Sequence, residues 1–265
     1  MGVSFNVKPF AQAGLVSKGI VYCLLGVITF LAAFRIKGGS TGEADKSGVF
    51  DFILEQTGGQ IMLGIIALGL ISYFLWRAVQ AFADTEDKGS DAKGLATRGR
   101  YLFSGLVYGS LAFSIIKILF FNDNGSGDEQ QDMAQELLSK PFGQWLAGIG
   151  AAIFAVVGGY QVYYGLSEKY RKHAEKISGD NGKKVMLGAG KIGYVARGIV
   201  WLLIAWLFLR AAMTANSAEA GDTSEAFGFL QDVAYGKYLL AAMGAGLFCY
   251  GTFNFIRARY EKFNS

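Results

Sequence analysis

The sequence predicts an all-α membrane protein in which six transmembrane helices form three tandem two-helix hairpin repeats. Three observations carry this reading. Charged residues make up 17% of the 265 residues and hydrophobic residues 52%, whereas soluble domains carry about 25% charged residues. Long uncharged stretches recur, as in Gly58–Phe82, where no formal charge appears before Arg77. Twenty such residues at about 1.5 Å each reach roughly 30 Å, the thickness of a bilayer's hydrocarbon core. Finally, the chain resembles itself.

The repeats decide the parse. Gln12–Tyr22, Arg98–Tyr108 and Lys191–Trp201 align, with Gly19, Gly105 and Gly198 in register at offsets of 86 and 93 residues. The aromatics three places later, Tyr22, Tyr108 and Trp201, correspond as well. Second spans align on Gly59, Gly143 and Gly236. Residues 12–92, 93–186 and 187–262 are then three hairpin repeats, a number that permits a pseudo-threefold arrangement.

In chain order the predicted spans are Leu15–Phe34, Gln60–Ala83, Tyr101–Phe121, Gly143–Leu166, Ile192–Met213 and Lys237–Ile256. Only 2 prolines stand against 37 glycines and 21 phenylalanines, which suits long unbroken helices with small residues at close contacts. The links within each hairpin begin with Gly, Ser, Asn and acidic residues. Each then holds a short amphipathic patch, Gly48–Leu54, Met133–Leu138 or Ser224–Leu230, that reads as an interfacial helix. By contrast, the links Asp84–Lys93 and Ser167–Lys191 are charged throughout.

Orientation follows from the basic residues. Of the 25 Lys and Arg, 18 lie on the side of the termini and 7 on the other, while the 21 acidic residues divide 8 to 13 in the opposite sense. Both termini are therefore expected in the cytoplasm. Six spans require both ends on one side, so the count agrees with itself.

Spans in lipid associate through close packing of small residues, because lipid tails are as apolar as leucine. Gly64, Gly105, Gly109, Gly148 and Gly246 are the candidate packing glycines, with Gly69, Gly158 and Gly159 adding flat surface.

Charged and polar residues inside spans are the places to look for function. Lys18, Ser104 and Arg197 occupy equivalent places in the first helix of each repeat, and Arg77, Gln161 and Asn254 in the second. All six fall near the predicted cytoplasmic ends. Around a threefold axis they would form a polar collar for an anion or an acidic lipid head group. The plainer reading is a set of side chains snorkelling into head groups. Lys117 and Arg210 align with each other near the outer ends, where the first repeat has Leu31. They are a candidate outer-side basic pair, with snorkelling again the plainer reading.

No enzymatic constellation is visible. Acidic residues are confined to loops, which excludes a buried carboxylate pair and a carboxylate proton relay. His173 is the single histidine and sits in a charged link. Cys23 and Cys249 lie inside apolar spans and read as small hydrophobes. No metal-ligand spacing, phosphate loop or nucleophile elbow occurs. No cofactor, metal or nucleic-acid partner is expected. Trp76, Trp145, Trp201 and Trp206, with Tyr73, Tyr160 and Tyr250, read as interface belts or helix contacts.

The opening motif, best seen in Gly193–Trp201, resembles that of bacterial membrane proteins with three copies of the domain of unknown function 1206. Pro141–Trp145 and Leu68–Arg77 are similar to its second half. The second repeat departs from the motif with Ser104 in place of Arg, and the third has Asn254 where the first has Arg77. The resemblance covers about Gln12 to Lys262 and implies six spans in a bacterial inner membrane, with no activity attached. The expected function is non-enzymatic: a structural, assembly or anionic-lipid-interacting component. Its partners would be membrane lipids, a membrane protein or a second copy of itself. The alternative is a channel or permease for a small solute or anion along the repeat axis.

Overall fold

The computed structural model describes residues 8–34, 46–84, 88–121, 136, 142–174, 180–214 and 223–260. They form eight α-helices, and no strand occurs among the described residues. Six are long and apolar enough to cross a membrane: α1 (Lys8–Ala33), α3 (Gly59–Phe82), α4 (Ala92–Phe121), α5 (Gly143–Leu166), α6 (Asp180–Thr214) and α8 (Gly236–Tyr260). Two short helices, α2 (Lys46–Leu54) and α7 (Thr223–Asp232), precede α3 and α8, where the amphipathic patches predicted them. The third patch, Met133–Leu138, lies outside the described residues except for Glu136. Val49, Phe50 and Ile53 of α2 are buried, as are Ala226 and Phe227 of α7, so each turns an apolar side inward.

The span starts need correction. α1, α4 and α6 begin well before the predicted Leu15, Tyr101 and Ile192, at Lys8, Ala92 and Asp180. Hydropathy marks only the lipid-crossing part of a helix. The backbone stays helical into the polar layer because Lys, Ala, Thr and Gln satisfy the same bonding pattern in water. Pro9 stands in the first turn of α1, where no helical N–H is lost, and Pro141 lies outside the described residues.

The repeat is also written into the backbone. Gly58, Phe142 and Tyr235, each just before a second-helix start, are left-handed at φ +80°, +69° and +62°. The glycine that follows two of them is packed on the preceding short helix: a methyl on Gly59 would meet the carbonyls of Ile53 and Leu54, and one on Gly236 those of Leu230 and Gln231. At the other end Asp84 and Glu168 are left-handed too, at φ 45° and 51°. A left-handed residue reverses the chain in one step, so α3 and α5 are bracketed by two such reversals.

The chain divides into two compact units. The first comprises Met1–Ile20, Phe52–Asn124 and Asn254–Ser265, and the second Val21–Asp51 and Gly125–Phe253. In the first unit α3 packs along α4, and Phe74 lies on Gly105 and Gly109. The start of α1 closes on α3: a methyl on Gly14 would strike Tyr73, and one on Gly69 would strike Ser17. Gln12 Nε2 donates to the Ala258 carbonyl at 2.9 Å, tying α1 to the end of α8.

In the second unit α5 packs along α6 at a glycine crossing, where a methyl on Gly158 would lie 2.9 Å from the Gly198 carbonyl. The helix α6 closes on α8 through Gly193 against Tyr250 and Ala196 against Gly246, and the later part of α1 meets α8 at Gly26 and Gly244. Gly64 and Gly148 do not pack as expected: a methyl there would meet nothing within 4 Å, and Gly159 is equally open. These three face away from the other helices of their own unit, where a missing side chain brings no neighbour closer.

Candidate functional site: two cation–tyrosine clusters

In the first unit the cluster is centred on Tyr73, whose ring is fully buried on α3. Its hydroxyl accepts from Arg77 Nε at 3.0 Å and Nη2 at 2.9 Å, because a residue one helical turn later lies on the same face. The Ser104 hydroxyl of α4 also hydrogen-bonds it. Arg77 Nη1 donates to Gln80 Oε1 at 2.8 Å. The Arg77 guanidinium stacks over Trp76 at 4.5 Å and over Tyr101 at 5.0 Å. From α1, the Lys18 ammonium sits 4.7 Å from the Tyr108 ring centroid and 5.4 Å from that of Tyr73, while the two rings meet edge to face at 4.9 Å. Arg257, on α8, is buried and lies within electrostatic reach of the Tyr73 hydroxyl. Each cation–ring contact out of water is worth about 1–2 kcal/mol, part of what burying the charge costs.

At the edge of this unit Arg98 donates to the carbonyls of Ala81 at 2.7 Å and Phe82 at 3.1 Å, closing the end of α3. Asp84 follows, and its carboxylate accepts the N–H groups of Lys88 and Gly89, both at 2.8 Å. Those two bonds hold its carboxyl below the usual carboxylate range.

The second unit has a smaller version. Arg197 Nη1 donates to the buried Tyr250 hydroxyl at 2.6 Å, and the guanidinium lies 5.0 Å from the Tyr250 centroid and 5.4 Å from that of Tyr22. Tyr22 and Tyr250 meet edge to face at 4.8 Å. Tyr194 joins Tyr250 to Tyr164, Tyr170 and Phe253 in a continuous aromatic wall. Tyr170, in a 3₁₀ turn at Lys169–Ala174, donates its hydroxyl to the Leu187 carbonyl at 2.7 Å. Burial first, and then the nearby Glu168 carboxylate, push this phenol up to about 12.

One rule of the repeat generates both clusters. A cation on the first helix of a repeat meets a tyrosine on the second helix of that repeat and a tyrosine on the first helix of the next. The first set is Lys18, Tyr73 and Tyr108; the second is Arg197, Tyr250 and Tyr22, so the third repeat is followed by the first. By alignment the middle set would be Ser104, Val157 and Trp201, with neither cation nor tyrosine.

The six expected collar residues are divided. Lys18, Ser104, Arg77 and Asn254 belong to the first unit, Gln161 and Arg197 to the second. Asn254 and Gln161 are buried, and Gln161 Oε1 has no hydrogen-bond donor among the described residues. Lys117 and Arg210, each half-buried, belong to the first and second units respectively. Reasoning from sequence missed Arg257 and the cation–tyrosine pairing. A signal was present: Tyr73 and Tyr250 align four residues before Arg77 and Asn254, as do Gly14 and Gly193 five residues before Gly19 and Gly198.

The model of the family described as Domain of Unknown Function (DUF1206) matches three times, at residues 13–84, 100–168 and 192–261. The chain belongs to the DUF1206 family. Each DUF1206 copy pairs one first and one second span, and together the copies take in all six long helices. The chain is also 30% identical to an uncharacterised protein, YxxB of Bacillus subtilis (strain 168), over 257 residues, or 96% of this chain and 91% of that one. No solved structure matches.

Proposed function

We propose that this six-span protein is a non-enzymatic component of a bacterial inner membrane that engages anionic lipid, with both termini in the cytoplasm. The observation that carries the reading is the pair of cation–tyrosine clusters. Lys18 and Arg257 are buried, and Arg77 and Arg197 are half-buried. Yet the six spans contain no Asp or Glu at all. Cations set among aromatic rings near the ends of spans are groups that acidic lipid head groups engage. The excess of basic residues, 18 to 7, on the side of the termini supports the cytoplasmic orientation, in which the clusters would lie towards the more anionic leaflet.

Purification into native nanodiscs, followed by analysis of the retained lipids, tests this. Anionic lipid should be enriched over its share of the source membrane, and the enrichment should fall in Arg77→Gln and Arg197→Gln. A lipid shell with the composition of the bulk membrane in all three proteins would overturn it. Labelling of single introduced cysteines from either side would test the orientation.

A further inference from the structure

The two links on the side of the termini differ in charge. Asp84–Lys93 holds two basic residues against four acidic ones, whereas Ser167–Lys191 holds seven against three. The net of +4 in the second link equals that of the whole chain. Tyr170, fully buried, fastens the described part of this link to the second unit. Its hydroxyl donates to the Leu187 carbonyl at 2.7 Å, and its ring covers Gly190, where a methyl would clash, and stacks on Tyr194 at 5.6 Å. The residues on either side of it, Lys169 and Arg171, are exposed. Lys183, Lys184 and Lys191 stand at −4, −3 and +4 from Leu187, so helical geometry puts them on the side of α6 that Tyr170 meets, and all three are exposed. Among the described residues Glu168 is the carboxylate that meets this group. It pairs with Arg171 at 3.2 Å and with Lys191 at 3.8 Å, which brings those two cations together.

The group sits at the end of a span. Lys191 immediately precedes the predicted span start at Ile192. Lys169 lies 4.5 Å from the ring centroid of Tyr163, an exposed residue in the last turn of α5. Exposed tyrosines at span ends lie at head-group level. A cation on such a ring is within a Debye length, about 8 Å at physiological ionic strength, of lipid phosphates. Lys183 stands about 12 Å further along α6 than Lys191, so the five cations reach from the span end outward through the head-group layer.

We propose that Lys169, Arg171, Lys183, Lys184 and Lys191 form a basic platform, held in place by Tyr170, that lies against anionic phospholipid head groups of the adjoining leaflet. This rests on the anionic-lipid reading and adds a contact outside the two cation–tyrosine clusters. A surface of several exposed cations reads charge density, so a net-negative head group is what it selects. The link Asp84–Lys93, with its acidic excess, makes no such contact.

The test equilibrates the full chain with mixed micelles of phosphatidylglycerol and phosphatidylcholine of identical acyl chains, then counts the lipids retained after purification. The parent should prefer phosphatidylglycerol, and the preference should fall as salt is raised. A variant with all five cations replaced by Gln should lose at least about fivefold of that preference, the effect of about one cation near an anionic leaflet. Glu168→Gln should raise the preference, because it releases Arg171 and Lys191 from their carboxylate; a folding defect would not. Lys88→Gln with Lys93→Gln should leave the preference unchanged.

An unchanged preference in the five-residue variant would overturn the platform. If Arg77→Gln and Arg197→Gln lower it instead, the reading from the clusters stands alone. A preference that does not rise in Glu168→Gln would also overturn the platform, and that variant decides if the five-residue one loses its fold or its orientation. Equal retention of the two lipids by the parent would overturn both readings. Capture of a poly-glutamate peptide by the parent, with no lipid preference, would overturn the platform in favour of an acidic protein partner.

Discussion

The glycine crossing of α5 and α6 offers a controlled test, because adjacent glycines stand in opposite surroundings. Gly158 faces α6: a methyl there would lie 2.9 Å from the Gly198 carbonyl oxygen, 2.9 Å from Leu202 Cγ and 3.0 Å from the Leu202 nitrogen. Two of those atoms are backbone and cannot rotate away, so accommodation requires the helices to move apart. Gly159 is one residue on, about 100° around the helix, and a methyl there would meet nothing within 4 Å. Replacing glycine by alanine in a helix gains about 0.5–1 kcal/mol from backbone entropy. Overpacking a tight contact costs about 1–3 kcal/mol. Gly159→Ala should therefore stabilise by about 0.5–1 kcal/mol. Gly158→Ala should destabilise by about 1–2 kcal/mol once its own gain is subtracted. The assay is unfolding in mixed micelles with increasing SDS, followed by circular dichroism, on both variants and the parent. Changes of the same sign and size in the two variants would refute the glycine crossing as the register of α5 on α6.

Other expectations follow from single contacts. Tyr235→Gly should stabilise by about 1 kcal/mol, since it relieves a left-handed aromatic residue at φ 62°; thermal unfolding of the variant checks this. Arg98→Ala should cost about 1 kcal/mol by opening the last carbonyls of α3, read as faster amide exchange confined to that helix end. The phenol of Tyr170, raised to about 12, contributes stability that is intact below the unfolded value of about 10 and is lost as pH rises towards 12. Alkaline unfolding of Tyr170→Phe should lack that component while starting from a slightly lower stability at neutral pH. Cys23 lies beside the Phe248 carbonyl and interacts with the neighbouring Cys249, so a short bismaleimide should link α1 to α8 in the native protein. Neither Cys23→Ser nor Cys249→Ser should link.

Much of the architecture was legible because lipid imposes simple demands. A span must be long, apolar and helical, and each of the six long helices contains one of the six predicted apolar stretches. Helix starts were less legible. The first turns of α4 and α6, with Lys93, Lys183 and Lys184, are polar and read as links, although their backbone is helical. Glycine contacts were half legible. Gly105, Gly109 and Gly246 pack, but Gly64 and Gly148 do not, since counting small residues says nothing of which way each one faces. The candidate site was legible as residue types and not as groupings. Alignment alone placed Lys18 beside Ser104 and Arg197 as equivalents. The structure instead joins Lys18 to Tyr73 and Tyr108, residues 55 and 90 positions away in the chain. Such partnerships are set by helix rotation, which a six-fold list of apolar segments leaves undetermined.

The contact of Tyr22 and Gly26 with Tyr250 and Gly244 carries one more consequence. Within the second unit it ties the last repeat back to the first by edge-to-face tyrosines, the same kind of contact that in the first unit ties the first repeat to the second. A permuted gene that starts in the link after α3 and places α1–α3 behind α8 would break none of the side-chain contacts that build either cluster. Such a permuted chain should keep both clusters, because each is built by helix contacts and not by the link that would be opened.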